Sequence, residues 1–293
     1  MNKEDFKKIA YPETYADEKE LHDIFTFMRK EDPVSWVEPN QFRPFWAITK
    51  HEDIIEIEKQ NELFINDPRT TLMDIPTEDA IKEFTGGSHL LVRSLVHMDN
   101  PDHQSYRSLT QKWFAPPNLE SLKKDIRNIA KEYVNKMVDY GNECDFAKDI
   151  AIFYPLRIIM SILGVPKEDE PRMLRLTQEL FGGRDEDMIR DESETSSESN
   201  TITDFFEYFN ALTEDRRKNP TNDVSSVIAN AQINNEQLGH LEAMSYYVII
   251  ATAGHDTTSS STAGGILALI ENPDQLSKLK NNPSLMTSAV EET

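Results

Sequence analysis

The sequence has little cysteine and little positive charge, and each shortage excludes a class of protein. Its single cysteine, Cys144, has no partner for an internal disulfide and cannot build a multi-cysteine zinc or iron–sulfur site. The 31 basic residues stand against 52 acidic ones, so the net charge is −21. Such a charge repels phosphate backbones and anionic lipid surfaces. We therefore expect no nucleic-acid partner.

Long apolar runs are also missing. The longest, Tyr246–Ala251, is far too short to cross a bilayer. The residues up to Tyr15 contain no apolar segment typical of a signal peptide. We expect a cytoplasmic protein that does not enter a membrane.

The apolar pattern predicts a mainly α fold with a small N-terminal β-sheet region. Phe45–Thr49 is rich in aromatic and β-branched residues, as a strand requires, and the isoleucines of His51–Gln60 have helical spacing. Further along, apolar residues recur at spacings of three and four in Leu119–Val138, Ile150–Leu163, Met173–Leu180 and Phe205–Leu212. No linker is evident, so we predict a single domain over residues 1–293.

One segment breaks the helical pattern. Residues Arg184–Asn200 are acidic, rich in serine and short of apolar side chains. Such a composition cannot bury a core face, and it predicts a mobile surface loop.

The segment Ala251–Gly265 has almost no side-chain bulk. Thirteen of its fifteen residues are alanine, glycine, serine or threonine, and apolar helical spacing continues on both sides. Gly254 disfavours a helix by about 1 kcal/mol relative to alanine. Serine and threonine hydroxyls can bond to the carbonyl one turn earlier and bend the helix. We predict a long helix that opens near Gly254, leaving room for a flat group against its backbone.

Two other interpretations of this segment are open. A stripe of small residues can simply let two helices pack closely. The pair His255–Asp256 could also belong to a metal phosphohydrolase, but that site needs further histidine and aspartate ligands. The nearest other histidine, His240, has no such setting.

The hexapeptide at residues 253–258, AGHDTT, resembles the central-helix signature of cytochromes P450. The resemblance implies that Asp256 and Thr257 are the catalytic residues, which organise water and protons beside iron-bound dioxygen. It also implies cofactor contact for Ala253, Gly254 and Thr258.

A second motif lies upstream. Asn100 and Pro101 are a favourable N-cap and first helical residue, so a helix should begin there. His103 and Arg107, four residues apart, would then share one face. Alone, such a pair is typical of a solvated surface. With Phe114 seven residues after the arginine, it resembles the P450 helix that holds the haem propionates.

A third motif lies at Ser288–Thr293, which resembles the start of the P450 Glu-x-x-Arg helix. By register Glu292 is its structural acid, and the matching arginine would fall two residues after Thr293. The glycine-rich loop that carries the P450 iron ligand is not in this sequence, and Cys144 lacks its context. We expect Cys144 to be an ordinary thiol, no metal ligand in this chain, and truncation before the ligand cysteine.

The resemblance implies a monooxygenase that uses haem b, iron protoporphyrin IX. It would insert one oxygen atom from dioxygen into a hydrophobic small molecule such as a terpenoid, a sterol side chain or a fatty acid. Because no flavin or nicotinamide motif occurs, electrons would come from a ferredoxin-type donor. The fragment alone is expected to be inactive. The alternative is a haem-free helical ligand-binding protein or pseudoenzyme remnant.

Overall fold

The computed structural model describes residues 1–141, 143–181 and 201–293. The loop predicted at Arg184–Asn200 lies outside these ranges. The described chain divides into two compact units, Met1–Gln104 and Ser105–Thr293. A single domain over residues 1–293 stays a prediction.

The first unit combines short helices with one small sheet. Its α-helices are α1 Pro12–Ala16, α2 Glu18–Glu31, α3 His51–Glu58 and α4 Ile75–Thr85, with 3₁₀ turns at Lys3–Ala10 and Leu95–His97. Strands β1 Val34–Val37 and β2 Phe45–Ile48 pair antiparallel. The predicted strand and the helix after it are both confirmed, each within two residues at its end.

The second unit is helical. Helix α5, Asp102–Gln111, runs into it. The remaining helices are α6 Pro116–Asp139, α7 Phe153–Leu163, α8 Glu170–Phe181, α9 Thr201–Lys218, α10 Val224–Ala229, α11 His240–Ala253, α12 Asp256–Glu271, α13 Pro273–Asn281 and α14 Met286–Glu292. A π-helical turn, Ala147–Ala151, precedes α7, and 3₁₀ turns occupy Lys167–Asp169 and Pro283–Leu285. The four helical segments predicted from apolar spacing are confirmed, and the mainly α fold with them.

A second, smaller hairpin was not predicted. Strands β3 Gln232–Ile233 and β4 Glu236–Gln237 pair through a two-residue turn. Its residues Asn234 and Asn235 have φ of 54° and 66°. Paired asparagines tolerate this left-handed conformation, which the common two-residue hairpin turn requires. That dipeptide was the available signal in the sequence.

Helix α11 is fixed at the centre of the second unit by Tyr247. The ring is fully buried and stacks on Phe209 of α9, with 4.6 Å between the centroids. Its hydroxyl donates to the Ser225 carbonyl at 3.3 Å and accepts from Thr213 Oγ1 at 3.0 Å. A buried phenol with both bonds made adds specificity as well as apolar area. Helices α9 and α10 therefore set the position of α11.

No helix within the described ranges combines the length and apolar content that crossing a membrane demands.

Candidate functional site

The central helix opens where the sequence predicts. Helix α11 ends at Ala253 and α12 begins at Asp256, so Gly254 and His255 lie between them. The backbone of His255, at φ −96° and ψ −71°, departs from regular helix geometry. Its N–H donates to the Thr252 carbonyl at 3.3 Å, one residue closer than the α-helical pattern requires. The predicted opening is confirmed.

Hydroxyl groups bond back along the helix on both sides of the break. Thr252 Oγ1 donates to the Val248 carbonyl at 2.6 Å, and Ser259 Oγ donates to the His255 carbonyl at 2.9 Å. Thr257 Oγ1 reaches the Ala253 carbonyl only at 3.4 Å. That distance is long for a hydroxyl donor, whose usual range ends near about 3.0 Å. The Thr257 hydroxyl is therefore weakly held and available to another partner.

The segment Ala251–Gly265 has one side that packs against the protein and one side that is exposed. A Cβ placed on Gly254 would collide with Ile159 Cδ1 on α7, so the two helices pack closely at this residue. Ala253, Thr257 and Thr258 are exposed, and Asp256 is half-buried. The packing interpretation therefore applies to Gly254, while the other predicted site residues lie where a group outside the chain could reach them. The cofactor contact predicted for Gly254 stays a prediction.

His255, which was not among the predicted site residues, points inward. Its side chain is buried, with Nε2 2.9 Å from the Ile152 carbonyl and Nδ1 3.2 Å from Thr177 Oγ1. Because a carbonyl can only accept, Nε2 carries the proton and Nδ1 can accept from the threonine. Burial lowers the pKa of His255, which favours this neutral form. No pattern in the sequence distinguishes this buried orientation of His255 from an exposed one.

Helix α5 carries the second motif, with one correction at its start. Pro101 lies in the preceding turn, and the helix begins one residue later, at Asp102. His103 is half-buried, and Arg107 is exposed one helical turn later. Among the residues that the structure describes, none forms a hydrogen bond or ion pair with the Arg107 guanidinium.

Within the second unit, Tyr246 ties α11 to the segment that carries Arg107. The Tyr246 hydroxyl donates to the Tyr106 carbonyl. Burial raises the pKa of Tyr246, so the phenol keeps its proton as a donor. Since Tyr246 lies eight residues before Gly254, about 12 Å of helix separates this tie from the break. The tie helps to fix the distance between the two motifs.

The end of this segment holds an unsatisfied donor. Trp113 Nε1 is buried without a hydrogen-bond partner in the described chain. The rings of Trp113 and Phe114 meet edge to face, with centroids 5.0 Å apart, and Phe114 is 38% exposed. A buried indole N–H normally finds a partner. This donor is therefore open to an acceptor that the chain itself does not provide.

An open cavity lies beside the break. It measures about 740 Å³ and is lined by α12, α13 and α14, including Thr257, Thr258, Ile266, Leu269 and Val290. Its volume is within the range of small-molecule sites, roughly 300–1,000 Å³. Both threonines of the predicted signature face this mainly apolar space.

Haem presents carboxylates and a flat apolar ring, so its holders must supply cationic or polar donors and small side chains. The uncommitted Arg107 guanidinium and the Trp113 indole supply donors of this kind. The exposed Ala253 and Thr258 offer a surface with little bulk. The chemistry of these residues fits the porphyrin.

The iron is a separate matter. Cys144, the sole cysteine, is exposed, and among the described residues no three histidine, cysteine or acidic side chains cluster as a metal site. Glu292 is exposed at the end of α14 and pairs with no described cation. The structural role predicted for Glu292 is untested, and so are the roles predicted for the other site residues.

Comparison with known proteins gives a consistent result. A sequence model of the cytochrome P450 family matches residues 15–285. Cytochrome P450-terp from a Pseudomonas species is 39% identical and aligns with 98% of this chain and 69% of its own length. Linalool 8-monooxygenase from Pseudomonas putida is 27% identical over 100% of this chain and 70% of its own length.

Solved structures agree with the sequence comparison. The crystal structure of CYP108D1 from Novosphingobium aromaticivorans superposes with a TM-score of 0.84 at 42% identity, covering 96% of this chain and 67% of that one. The chain thus spans about two thirds of the length of these relatives. It belongs to the cytochrome P450 family.

Proposed function

We propose that the whole protein is a haem-dependent monooxygenase of the cytoplasm. It would insert one oxygen atom from dioxygen into a hydrophobic small molecule such as a terpenoid, a sterol side chain or a fatty acid. The observation that carries this proposal is the break at Gly254 and His255. It leaves Thr257 exposed beside a mainly apolar cavity, with Asp256 next to it.

Haem, when bound, supplies the redox chemistry, and the residues of this chain hold it and manage protons. Arg107 and His103 would donate to its propionates, and Phe114 would cover the ring. An arginine guanidinium suits a carboxylate because two of its N–H groups can donate to the two carboxylate oxygens at once. Ala253, Gly254 and Thr258 would lie against the flat face, where larger side chains would collide.

Asp256 and Thr257 would deliver protons. The Thr257 hydroxyl, held only by a 3.4 Å contact to Ala253, can turn to donate at Oγ1 and recover its proton from water. The neighbouring Asp256 carboxylate is half-buried, so it can exchange protons between solvent and that hydroxyl.

The apolar lining of the cavity supports a hydrophobic substrate, and a terpenoid agrees with the relative named linalool 8-monooxygenase. Electrons would come from a ferredoxin-type donor protein, because haem chemistry of this kind needs an external source of electrons. We propose no nucleic-acid or membrane partner, in keeping with the charge of −21.

The test uses the whole protein purified with haem, a ferredoxin-type reducing system and a panel of terpenoids, sterols and fatty acids. We expect a product that carries one atom of labelled dioxygen. A protein that binds these compounds without taking up haem would contradict the proposal. It would favour the haem-free ligand-binding alternative.

Cofactor retention tests Arg107 separately. Arg107→Ala should weaken haem binding by roughly tenfold or more, because a charge-assisted pair is lost. Arg127→Ala, which removes an exposed arginine from α6, is the charge-matched control and should not change it. Haem transfer from each variant to apomyoglobin measures the difference. Equal transfer rates would show that Arg107 points elsewhere.

A further inference from the structure

His255 lies inside the break, and its side chain is buried, whereas the two residues that follow it are more exposed. The ring is 1% exposed, whereas Asp256 is half-buried and Thr257 is exposed at the cavity. Consecutive residues thus divide between interior and cavity. The direction of the histidine side chain therefore fixes the direction of the two that follow it.

The backbone provides little other support at this point. Helix α12 has no side-chain cap at its N-terminus. Two backbone bonds at the break involve His255: its N–H donates to the Thr252 carbonyl at 3.3 Å, and its carbonyl accepts the Ser259 N–H at 2.9 Å. Rotation of this one residue would turn the first turn of α12.

The side chain of His255 connects α12 to two separate elements. Nε2 donates to the carbonyl of Ile152, the residue that follows the π-helical turn and donates its own N–H to Ala147 at 3.1 Å. Nδ1 meets Thr177 Oγ1 on α8, and Thr177 is itself buried. π-Helical turns occur often at functional sites. Two bonds in different directions fix the plane of the ring as well as its position.

We propose that His255 is a positioning residue, whose two buried hydrogen bonds hold the first turn of α12 so that Asp256 and Thr257 face the cavity. That His255 holds α12 in place is inferred from the geometry of His255, Ile152 and Thr177. The value of that orientation for oxygen chemistry rests on the proposed function. A histidine that served stability alone would leave the direction of Thr257 unchanged when its bonds were altered.

The chain offers a graded set of variants. His255→Phe fills the space without either bond, while His255→Gln keeps a donor near the position of Nε2. Thr177→Val is nearly isosteric and removes the hydroxyl at Nδ1, which also bonds within α8 to the Met173 and Leu174 carbonyls at 3.0 Å. Ser245→Ala is the control, because it removes a buried hydroxyl of α11 that bonds to its own helix, at the Leu241 carbonyl, 2.8 Å away.

The first measurement needs no activity. In the whole protein, ¹⁵N correlation spectra of the histidine rings should show His255 protonated at Nε2. Amide exchange at residues 253–258 should rise about tenfold or more in His255→Phe, rise less in Thr177→Val, and stay near the parent rate in His255→Gln and Ser245→Ala. Protonation at Nδ1, or unchanged exchange in both His255→Phe and Thr177→Val, would overturn the proposal. If His255→Phe does not fold, Thr177→Val carries the test.

The second measurement tests whether the hydrogen bonds of His255 affect the reaction. In the haem-loaded protein, Thr177→Val should lower the product formed per electron pair while substrate affinity changes less than about twofold, and Ser245→Ala should change neither. Faster exchange with unchanged product yield would refute the positioning role. If the parent protein forms no product at all, the proposed function fails, and the positioning role of His255 is then judged on the amide-exchange data alone.

Discussion

Helices α11 and α12 continue one another along the sequence, yet they occupy different environments. Seven residues of α11 are buried: Ala243, Met244, Ser245, Tyr246, Tyr247, Ala251 and Thr252. In the whole of α12, which the structure describes completely, Ser259 is the one buried residue, and Leu267 is 56% exposed. The change occurs at Gly254 and His255. The break therefore separates a helix that serves packing from one that faces a cavity.

The largest expected effect is a difference in stability between the two helices. Met244→Ala should lower the free energy of unfolding by about 2–5 kcal/mol, because it leaves a cavity around a fully buried side chain. Leu267→Ala on α12 should change it by less than about 0.5 kcal/mol. Urea unfolding of the two variants and the parent measures both values. Equal losses would mean that α12 is as well packed as α11.

Two glycines should respond with opposite signs. Gly254→Ala should destabilise the protein by about 1–3 kcal/mol, since its methyl group would meet Ile159. Gly264, within α12, has nothing within 4 Å of an added Cβ, so Gly264→Ala should stabilise by up to about 1 kcal/mol. Thermal unfolding of both variants tests the pair. A stabilising Gly254→Ala would remove the steric account of the break.

The smallest expected effect is a pH dependence. Burial holds the pKa of His255 below its ordinary value of 6.5, while the bond to the Ile152 carbonyl and the Asp256 charge oppose the shift less strongly. Below pH 6.5 the histidine of the unfolded chain is protonated while that of the folded chain stays neutral. The free energy of unfolding therefore falls as the pH is lowered, until the pKa of the folded state is reached. His255→Gln should therefore lose less stability than the parent between about pH 7.5 and pH 5.5.

Urea unfolding at those two pH values gives the comparison. Burial also lowers the pKa of His89 and His97, but both residues are present in parent and variant, so their effects cancel in the difference. An identical pH dependence in the two proteins would show that His255 is not held neutral.

Local periodicity predicted most of the helices because apolar spacing is a property of each segment by itself. The break was predictable for the same reason, since Gly254 and the hydroxyl-bearing residues around it weaken a helix locally. The inward direction of His255 was not, because it depends on the Ile152 carbonyl and on Thr177, which are distant along the chain.

The apolar face of α12 shows the same limit. Spacing identified Ile266 and Leu267 as a resumed apolar pattern, but it could not indicate whether anything covers them. The structure leaves Ile266 38% and Leu267 56% exposed. The predicted start of α5 was wrong by one residue, because Pro101 lies in the turn before the helix, which begins at Asp102.

The central claim is that the break presents the Thr257 hydroxyl for proton delivery. Its most direct test is the product formed per electron pair consumed by the haem-loaded whole protein, compared among the parent, Thr257→Ala and Thr257→Ser. We expect Thr257→Ala to retain haem but to lower this yield roughly tenfold, with the lost electrons recovered as peroxide or water, and Thr257→Ser to keep most of it. An unchanged yield in Thr257→Ala, at full haem content, would contradict the account.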